Sequence, residues 1–237
     1  EDESGDQQFV HQTTYGMSER LLGAIVATHG DDKGLIMPPS VAPIQVIVIP
    51  IISKQASQDI IVEAEKIVSQ LKESGIRARI DTRDIRPGQK YYDWEIKGVP
   101  LRIEIGPRDL ANNSVMCARR TGGKNSHSLE NLVGTVCKEL DEIGQEMDEE
   151  STNHFNSHIK NLPSFSRDGD KLVFDDQIQS GVVYEMAFEG NDAEAEMIEK
   201  STDLTFLGNS TSTYSEAKSC IITGKPTHNR VYLARTY

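Results

Sequence analysis

The stretch from Ile44 to Ile52 is the feature that most constrains how this chain folds. Its letters, IQVIVIPII, form an almost continuous run of β-branched residues, which is typical of a strand buried on both faces of a parallel sheet. The run is the longest apolar segment of the chain, yet it is too short to cross a bilayer as a helix. It therefore predicts a buried strand at the start of a globular domain, and no membrane span.

The residues after this strand predict a β-α-β unit. Residues 57–74 place apolar side chains at helical spacing, and Gly75 follows as a C-terminal stop. The segment RARID then returns as a strand, which implies a right-handed crossover in a mixed or parallel sheet. A short helix in PGQKYYDWEIKG, an alternating strand in VPLRIEIG and a strand in VMCAR complete one compact α/β domain from about residue 43 to 140.

The flanking segments differ in character from this domain. Before it, LLGAIVAT predicts a strand or a buried helix stub, and the prolines of PPSVAP predict an extended connector with a domain boundary near residue 40. After it, residues 129–147 are again helix-periodic and lead into a polar linker, STNHFNSHIKN. The remaining chain contains the strand candidates KLVFD and VVYEMAF and a helical stretch near residues 194–200, which predicts a small α+β domain.

The charge of the chain is unevenly distributed. The sequence has 25 Lys and Arg against 37 Asp and Glu, a net charge of −12, which excludes a generally basic nucleic-acid coat. Residues 76–125, the basic island, nevertheless hold 11 cations and 6 carboxylates, a local balance of +5. Tyr91, Tyr92 and Trp94 lie within the basic island and offer stacking platforms for the bases of single-stranded RNA. The alternative is a solvated charged face with Trp94 packed in the core.

One strand of the basic island carries candidates for base recognition. Arg102 and Glu104 alternate with aliphatic residues, so both polar side chains are expected to leave the core face of the strand. An exposed arginine can fork onto a guanine edge, and a nearby carboxylate such as Glu95 can accept a hydrogen bond from a base amine. A cross-strand ion pair is the alternative for these polar side chains.

Cysteine usage and the first residues bear on the compartment. Three scattered cysteines and the lack of a CxxC pair argue against a disulfide framework and against a four-ligand zinc site. The start, EDESGDQQ, lacks the cationic and apolar regions of a secretion signal. A reducing, cytoplasmic location is therefore expected. The sequence also contains no GxxxxGK(S/T) phosphate loop, which argues against an unrelated nucleotide hydrolase.

Three segments carry a family resemblance. They are TTYGMSERLLGAIVATHGDDKGLIMPPSVAPIQVIVIPI, then PGQKYYDWEIKGVPLRIEIGPRDL with CARRTGGK after it, and the terminal VYLARTY. In this order they resemble the third class II signature, the anticodon-reading segment and the C-terminus of prolyl-tRNA synthetases of the archaeal and eukaryotic type. These enzymes are a family of class II aminoacyl-tRNA synthetases and act in translation.

The resemblance implies a domain organisation and a fold class. Residues 1–40 would be the end of a class II catalytic domain, and residues 41–150 a three-layer α/β anticodon-binding domain with a mixed or parallel sheet. Residues 151–237 would form a small α+β C-terminal domain. The first and second class II motifs and the proline pocket are missing from the sequence. The chain is therefore expected to be the C-terminal half of such an enzyme.

The resemblance also assigns residues to ATP binding. Arg20 matches the family's third-motif arginine, which lies along the ATP triphosphate and acts in catalysis because its permanent planar charge neutralises phosphate. Ser18 matches a hydroxyl position near the nucleotide, and Gly16 a point where the backbone approaches the ligand closely. Apart from the resemblance, His29, Asp31 and Asp32 of HGDDKG are residue types that serve in metal or acid-base chemistry, but here they are expected to form a turn and its hydrogen bonds.

For anticodon reading, the resemblance implies one stacking residue and four polar contacts to the two guanine-bearing positions of a proline anticodon. The stacking residue is Tyr91, and the polar contacts are Glu95, Arg102, Arg108 and Lys124. The family usually has RRDTGEK where this chain has RRTGGK, one residue shorter, which affects the reach of Lys124. The C-terminal residue, Tyr237, is expected to point toward the active site of the catalytic domain.

The C-terminal part departs from the family pattern. Relatives of this type often carry four zinc-binding cysteines there, as two short-spaced pairs. Here Glu189 and Glu194 lie near the first pair, and Cys220 and Thr223 near the second. Because one thiolate with scattered carboxylates is a poor zinc site, a domain without structural zinc is predicted.

The implied activity of the intact protein is proline–tRNA ligation. ATP and Mg²⁺ would serve to activate proline, which is then transferred to tRNA(Pro), and the enzyme would be a homodimer through the missing catalytic domain. This chain alone is expected to be inactive. The alternative is a free-standing, non-catalytic tRNA-binding module that inherited the same half. The segment with Arg20 favours the enzyme, because a binding module has no use for an ATP-binding edge.

Overall fold

The computed structural model describes residues 3–9, 12–52, 57–169 and 171–236. The chain divides into two compact units, Glu1–Glu149 and Glu150–Tyr237. The first unit contains the predicted α/β domain and the segment before it, and the second contains the smaller α+β part. Among the described residues, no helix is both long enough and apolar enough to cross a membrane.

The first unit is built around a five-stranded mixed sheet. Its elements are α1 (Arg20–His29), β1 (Val46–Pro50), α2 (Ser57–Glu73), β2 (Ala78–Ile80), α3 (Pro87–Ile96), β3 (Leu101–Ile105), α4 (Pro107–Ala111), β4 (Ser114–Arg119), β5 (Lys124–Ser128), a 3-10 turn (Leu129–Asn131) and α5 (Leu132–Ser157), which extends beyond this unit. The strands pair in the order β2-β1-β3-β4-β5. β1 is parallel to β2 and β3, whereas β3-β4 and β4-β5 are antiparallel. The predicted β-α-β unit and mixed sheet are confirmed.

The sheet separates two apolar clusters. On one face, Val46 and Val48 pack with side chains of α2 and α5 in the main cluster. On the other face, Ile47 and Ile49 pack with Trp94 of α3. Each fully buried aliphatic side chain contributes about 1.5–3 kcal/mol relative to its exposed state. β1 is thus buried on both faces, as its β-branched run predicts, and helices cover both sides of the sheet in three layers.

The segment before the sheet is helical. Of the two structures predicted for this segment, the helix is the one observed, as α1, and none of its residues is buried. Leu21, Leu22 and Val26 are exposed, because the described residues present no second apolar surface to cover them. The expectation of a buried stub is therefore wrong for this chain.

The proline-rich connector forms a turn and not the extended segment that the sequence predicts. The N–H of Ala42 donates to the carbonyl oxygen of Pro38 at 3.0 Å. Arg77 fixes this turn, because its Nε donates to Ala42 O at 2.8 Å and its Nη2 to Pro39 O at 2.8 Å. The prolines prevent a helix, as predicted, but the capture of these carbonyl groups by the guanidinium closes the chain into a turn.

The helix after the sheet is longer than predicted. α5 continues to Ser157 and includes most of the segment that the sequence predicts as a polar linker. Residues 152–157 are exposed and contain neither Gly nor Pro. The expectation of a linker is wrong, because polar composition here marks a solvent-facing helix end and not an irregular chain.

The second unit is a smaller α+β arrangement, as predicted. Its elements are β6 (Ile159–Asn161), β7 (Phe165–Asp168), β8 (Lys171–Phe174), β9 (Val183–Ala187), α6 (Asp192–Thr202), β10 (Thr205–Asn209), β11 (Lys218–Ser219), β12 (Pro226–Thr227) and β13 (Arg230–Ala234). One sheet has the order β10-β13-β9-β6, and β7-β8 and β11-β12 form separate pairs. Tyr184, Met186, Ile198, Val231 and Leu233 belong to its core.

Candidate nucleic-acid interface

A cleft of about 400 Å³ opens on the α3 side of the first unit's sheet. Its polar lining includes Tyr91 and Glu95 of α3, Arg102 of β3, Arg120, and Lys124 of β5. The strand register places Ala118 between Arg102 and Lys124, so both cations rise from the same face of the sheet. Four of the five residues predicted to read the anticodon therefore line one cleft.

Glu104 lies beneath these side chains and connects them. Its side chain is only 5% exposed, and its Oε1 accepts a hydrogen bond from Arg102 Nε at 3.0 Å. Its Oε2 accepts from Tyr91 Oη at 2.9 Å and from Lys124 Nζ at 2.8 Å. Glu104 leaves the core face of β3 as predicted, but the layer on the other face covers it. Its ion pair with Arg102 lies within β3, whereas its ion pair with Lys124 joins β3 to β5, so the alternative of an ion pair between strands holds for Lys124.

The protonation states in this group follow from its geometry. Burial acts to raise the pKa of Glu104, but the hydrogen bonds from Lys124, Arg102 and Tyr91 outweigh burial and keep the pKa below its ordinary value. Burial, together with the adjacent negative charge, raises the pKa of the Tyr91 phenol well above its ordinary value. Glu104 is therefore an anion at neutral pH, and Tyr91 is a neutral hydrogen-bond donor.

The guanidinium of Arg102 stacks on Tyr91. The Cζ atom of Arg102 lies 4.2 Å from the centroid of the tyrosine ring. Such a contact is worth about 0.5–2 kcal/mol, depending on desolvation. One face of the Tyr91 ring is thus covered by Arg102, which itself lines the cleft.

Glu95 connects the cleft to residues 31–34, the acidic turn that follows α1. Its Oε1 lies 3.8 Å from Lys33 Nζ, and its carbonyl oxygen accepts from Arg120 Nε at 3.1 Å. The side chain of Arg120 is 3% exposed and donates to both carboxylate oxygens of Asp31, at 3.0 and 2.5 Å. Asp31 also accepts from the N–H of Lys33 at 2.9 Å, so the turn-forming role predicted for it is confirmed. The hydrogen bond from Arg120 holds the pKa of Asp31 well below its ordinary range.

Two glycines let this acidic turn pack against the end of α3. Gly34 has φ of +129° and Gly98 has φ of +68°, a region that side chains rarely adopt. A Cβ atom at Gly34 would lie 2.7 Å from Cα of Ile96, and one at Gly98 would lie 2.7 Å from the carbonyl carbon of Leu35. The N–H of Leu35 donates to Ile96 O at 3.0 Å. Both positions therefore require glycine for the close approach of two backbones.

Asp81 holds α3 to the loop that follows β2. Its Oδ2 accepts from the indole Nε1 of Trp94 at 2.7 Å and from Arg83 Nη2 at 2.7 Å. Lys90 is buried and donates from Nζ to the carbonyl oxygen of Asp81 at 3.0 Å. Burial acts to raise the pKa of Asp81, but the hydrogen bonds from Arg83 and Trp94 lower it to about 2.

The aromatic side chains of the basic island have different environments. Trp94 is buried in the core and hydrogen-bonded, so the prediction of a stacking platform is wrong for it and the core alternative is correct. Tyr92 is exposed on α3. The sequence pattern alone does not distinguish these neighbours, because helix α3 turns successive residues toward different surroundings.

Much of the positive charge in the basic island is structural. Arg119 turns its guanidinium to α5, where it bonds Glu139 at 2.5 Å, Glu146 at 2.7 Å, and Glu142. Arg108 is exposed in α4, and the described lining of the cleft does not include it. The cleft lining thus contains only some of the 11 cations of the basic island.

The residues predicted to bind ATP lie in and just before the first turn of α1. Gly16, Ser18 and Arg20 are exposed, and Ser18 Oγ accepts from the N–H of Arg20 at 3.4 Å. The N–H groups of a helix start and a guanidinium both favour an anion, which suits a phosphate ligand. Tyr237, expected near the same active site, lies outside the described residues.

The residues at the family's zinc positions have other partners. Glu194 forms a capping box, in which its Oε2 accepts from Asn191 N at 2.9 Å and its own N–H donates to Asn191 Oδ1 at 3.0 Å. Cys220 is buried, and its Sγ accepts from the N–H groups of Glu189 at 3.2 Å and Thr223 at 3.5 Å. Burial acts to raise the pKa of Cys220, but hydrogen bonds from the Thr223 side chain and from backbone N–H groups lower it. Within the described ranges, no group of three or more His, Cys, Asp or Glu is placed to hold a metal.

Two residues that organise the cleft, Glu104 and Arg120, are not among the five that the family resemblance assigns to anticodon reading. The period-two pattern of β3 places Glu104 on the same face as Arg102, which is a usable signal for their contact. Arg120 has no comparable signal, because its partner Asp31 is 89 residues away in the chain.

Residues 45–139 match the family model of the anticodon binding domain. The match, the mixed sheet and the polar cleft define this part of the chain as an anticodon-binding domain. The whole chain is 42% identical to the proline--tRNA ligase of Thermococcus kodakarensis, and 95% of it is 41% identical to that of Methanocorpusculum labreanum. It covers 49% and 46% of those proteins, so the chain spans about half the length of the curated relatives it matches.

A solved structure also matches nearly the whole chain over about half of its own length. Giardia lamblia prolyl-tRNA synthetase, in complex with prolyl-adenylate, is similar with a TM-score of 0.79 and 27% identity, over 92% of this chain and 48% of that one. Over nearly its whole length the chain is therefore similar to prolyl-tRNA synthetases, and it matches about half of the length of each.

Proposed function

We propose that this chain provides anticodon recognition and the third class II motif of a proline--tRNA ligase, the enzyme that attaches proline to tRNA(Pro) with ATP. The observation that carries the proposal is the convergence of Tyr91, Glu95, Arg102 and Lys124 in one cleft of an anticodon-binding domain. The similarity of nearly the whole chain to about half of two proteins named proline--tRNA ligase supports proline as the amino acid.

The cleft offers complementary chemistry for guanine bases. Arg102 presents amino groups that can donate to the O6 and N7 acceptors of a guanine, and Lys124 adds a second cation. The carboxylate of Glu95 can accept from a base amine. Tyr91 supports the guanidinium plane on which a base can stack. Arg108, exposed outside the cleft lining, is proposed to contact the RNA beyond it.

The remaining assignments rest on the family. Gly16, Ser18 and Arg20 are proposed to contact ATP, with Arg20 neutralising phosphate during activation of proline. Mg²⁺ would accompany ATP, as the family resemblance implies. Domain boundaries near residues 40 and 150, a homodimer through the catalytic domain, a cytoplasmic location and a place for Tyr237 near the active site are proposed on the same ground.

A free-standing, non-catalytic tRNA-binding module is the alternative. The exposed apolar side chains of α1, next to Arg20, favour the enzyme because such a surface suits the interior of a larger domain. Sequencing the gene upstream of codon 1 tests this choice. The first and second class II motifs in the same reading frame are expected, and a stop codon in frame with no such motifs would support the free-standing module.

Anticodon recognition is tested by binding. The chain is titrated with a tRNA that has a proline anticodon and with the same tRNA in which the two anticodon guanines are replaced by adenines. Because each bidentate base contact is lost in the second RNA, we expect about tenfold weaker binding to it or more. Equal affinity for the two RNAs would contradict anticodon reading by this chain.

The second unit is proposed to fold without structural zinc. Glu194 is committed to its helix cap, and Cys220 is the one cysteine in this unit. We expect the purified chain, dialysed against zinc and then against buffer, to retain far less than one equivalent of metal by mass spectrometry. One tightly held equivalent, lost together with the fold on chelation, would show the opposite.

A further inference from the structure

Glu104 is a buried anion whose partners come from three separate elements. Tyr91 lies on α3, Arg102 on β3 and Lys124 at the start of β5, and each donates to the same carboxylate at 2.8–3.0 Å. A carboxylate with a 5% exposed side chain requires such donors, because burial without them is costly. Glu104 itself is not part of the cleft lining.

The pattern of donors shows which atoms remain for a ligand. The Nε–H of Arg102 donates to Glu104. Within the described residues, the two amino groups of Arg102 make no hydrogen bond with the protein. Lys124 has three N–H donors, of which one faces Glu104. Glu104 thus engages the inner donors of both cations and leaves their outer donors facing the cleft.

The orientation of Arg102 is fixed in two directions. Stacking on Tyr91 at 4.2 Å sets the plane of the guanidinium, and the Nε bond to Glu104 sets its rotation within that plane. A bidentate contact to a guanine edge requires both settings, since two parallel N–H bonds must meet O6 and N7 together. Fixing the side chain before binding also lowers the entropy that binding would otherwise lose.

From this geometry we infer that Glu104 is a positioning residue that sets the base specificity of the cleft without touching the RNA. The inference rests on the proposed function. It extends that function by assigning guanine discrimination to a buried carboxylate that orients Arg102 and Lys124.

The variant Glu104→Gln tests this role. The amide keeps the size of the side chain, but its NH₂ group must face either Arg102 Nε or Lys124 Nζ, and a donor facing a donor makes no bond. We expect the preference for the guanine-containing anticodon over its adenine counterpart to fall by about fivefold or more. An unchanged preference would overturn the inference.

Glu139→Gln is the matched control. Glu139 is also a buried carboxylate, 9% exposed at its side chain, and accepts from Arg119 Nε at 2.5 Å on the α5 side of the sheet. It should lower stability and leave the anticodon preference unchanged. If both variants lose preference equally, the effect is general loosening, and the inference fails. If the unsubstituted chain itself does not prefer the guanine-containing anticodon, the proposed function is wrong. That result does not depend on either variant.

A measurement on the unsubstituted chain does not depend on how the variants fold. Nitrogen-15 NMR of arginine side chains reports the Nε–H of Arg102, whose proton should exchange slowly because Glu104 accepts it. On addition of the proline anticodon RNA, we expect this proton to stay protected while the amino-group signals of Arg102 shift. Loss of protection at Nε–H on binding would show that Glu104 releases Arg102, and the positioning role would be wrong.

Discussion

Arg102→Ala should weaken binding to tRNA with a proline anticodon by about 1–3 kcal/mol, or roughly fivefold to more than a hundredfold. The loss should be much smaller for the tRNA with adenines in place of the two guanines. The physical reason is the free outer edge of the guanidinium, which Glu104 and Tyr91 hold toward the cleft. Titration of both RNAs at one fixed salt concentration measures the two losses.

The matched control for this variant is Arg79→Ala. Arg79 carries the same charge in the basic island but is exposed on β2, at the opposite edge of the sheet from β5. Its removal should weaken the binding of both RNAs to the same small extent, because it changes only the general electrostatic attraction between the chain and RNA. If Arg102→Ala behaves like Arg79→Ala, Arg102 does not read bases.

Asp81→Asn should lower the free energy of unfolding by about 1.5–3 kcal/mol, because a neutral amide weakens the charge-assisted hydrogen bonds that the buried carboxylate accepts from Trp94 and Arg83. The side chain of Asp81 is 1% exposed and receives both the indole N–H of Trp94 and the guanidinium of Arg83. Trp94 is the only tryptophan of the chain, so its fluorescence follows this part of the structure during urea unfolding. Asp84→Asn removes the same charge from an exposed position of the same loop and should change stability by little.

The same carboxylate predicts how stability depends on pH. The pKa of Asp81 in the folded chain is about 2, below the ordinary value of 3.8. A lowered pKa stabilises the fold fully above the unfolded value, and this stabilisation, about 2 kcal/mol, disappears as the pH falls from about 4 through about 2. Asp81→Asn should therefore flatten the decline of stability over that interval. A decline as steep as in the unsubstituted chain would mean that other carboxylates cause it.

The fold was predictable where one local pattern decides the structure. The β-branched run of β1 and the helical spacing of α2 both lead to the observed elements. β5 was not predicted, because KNSHS has no apolar alternation and its place is set by pairing with β4. The end of α5 was misassigned for a related reason. Composition indicates exposure, but an exposed segment can still continue a helix.

Most residues of the candidate site were predictable from the sequence, but the contacts through which Glu104 and Arg120 connect them were not. The sequence places Arg102 and Glu104 on one face of β3, but their burial depends on how the neighbouring elements cover that face. Trp94 shows the same limit, because its packing against Ile47 and Ile49 and its hydrogen bond to Asp81 depend on residues outside its own helix. Whether the cleft residues read RNA bases remains a prediction that the binding experiments test.

The contact of Arg120 with Asp31 bears on how this protein can be divided. The segment that matches the anticodon binding domain begins at residue 45, yet Arg120 within it takes its carboxylate from residue 31. Gly98 likewise owes its conformation to a backbone that lies before the match begins. A domain excised at residue 45 would therefore expose a guanidinium without its anion beside the cleft. We therefore expect an excised anticodon-binding domain to keep this ion pair only if it includes Asp31, upstream of residue 45 where the match begins.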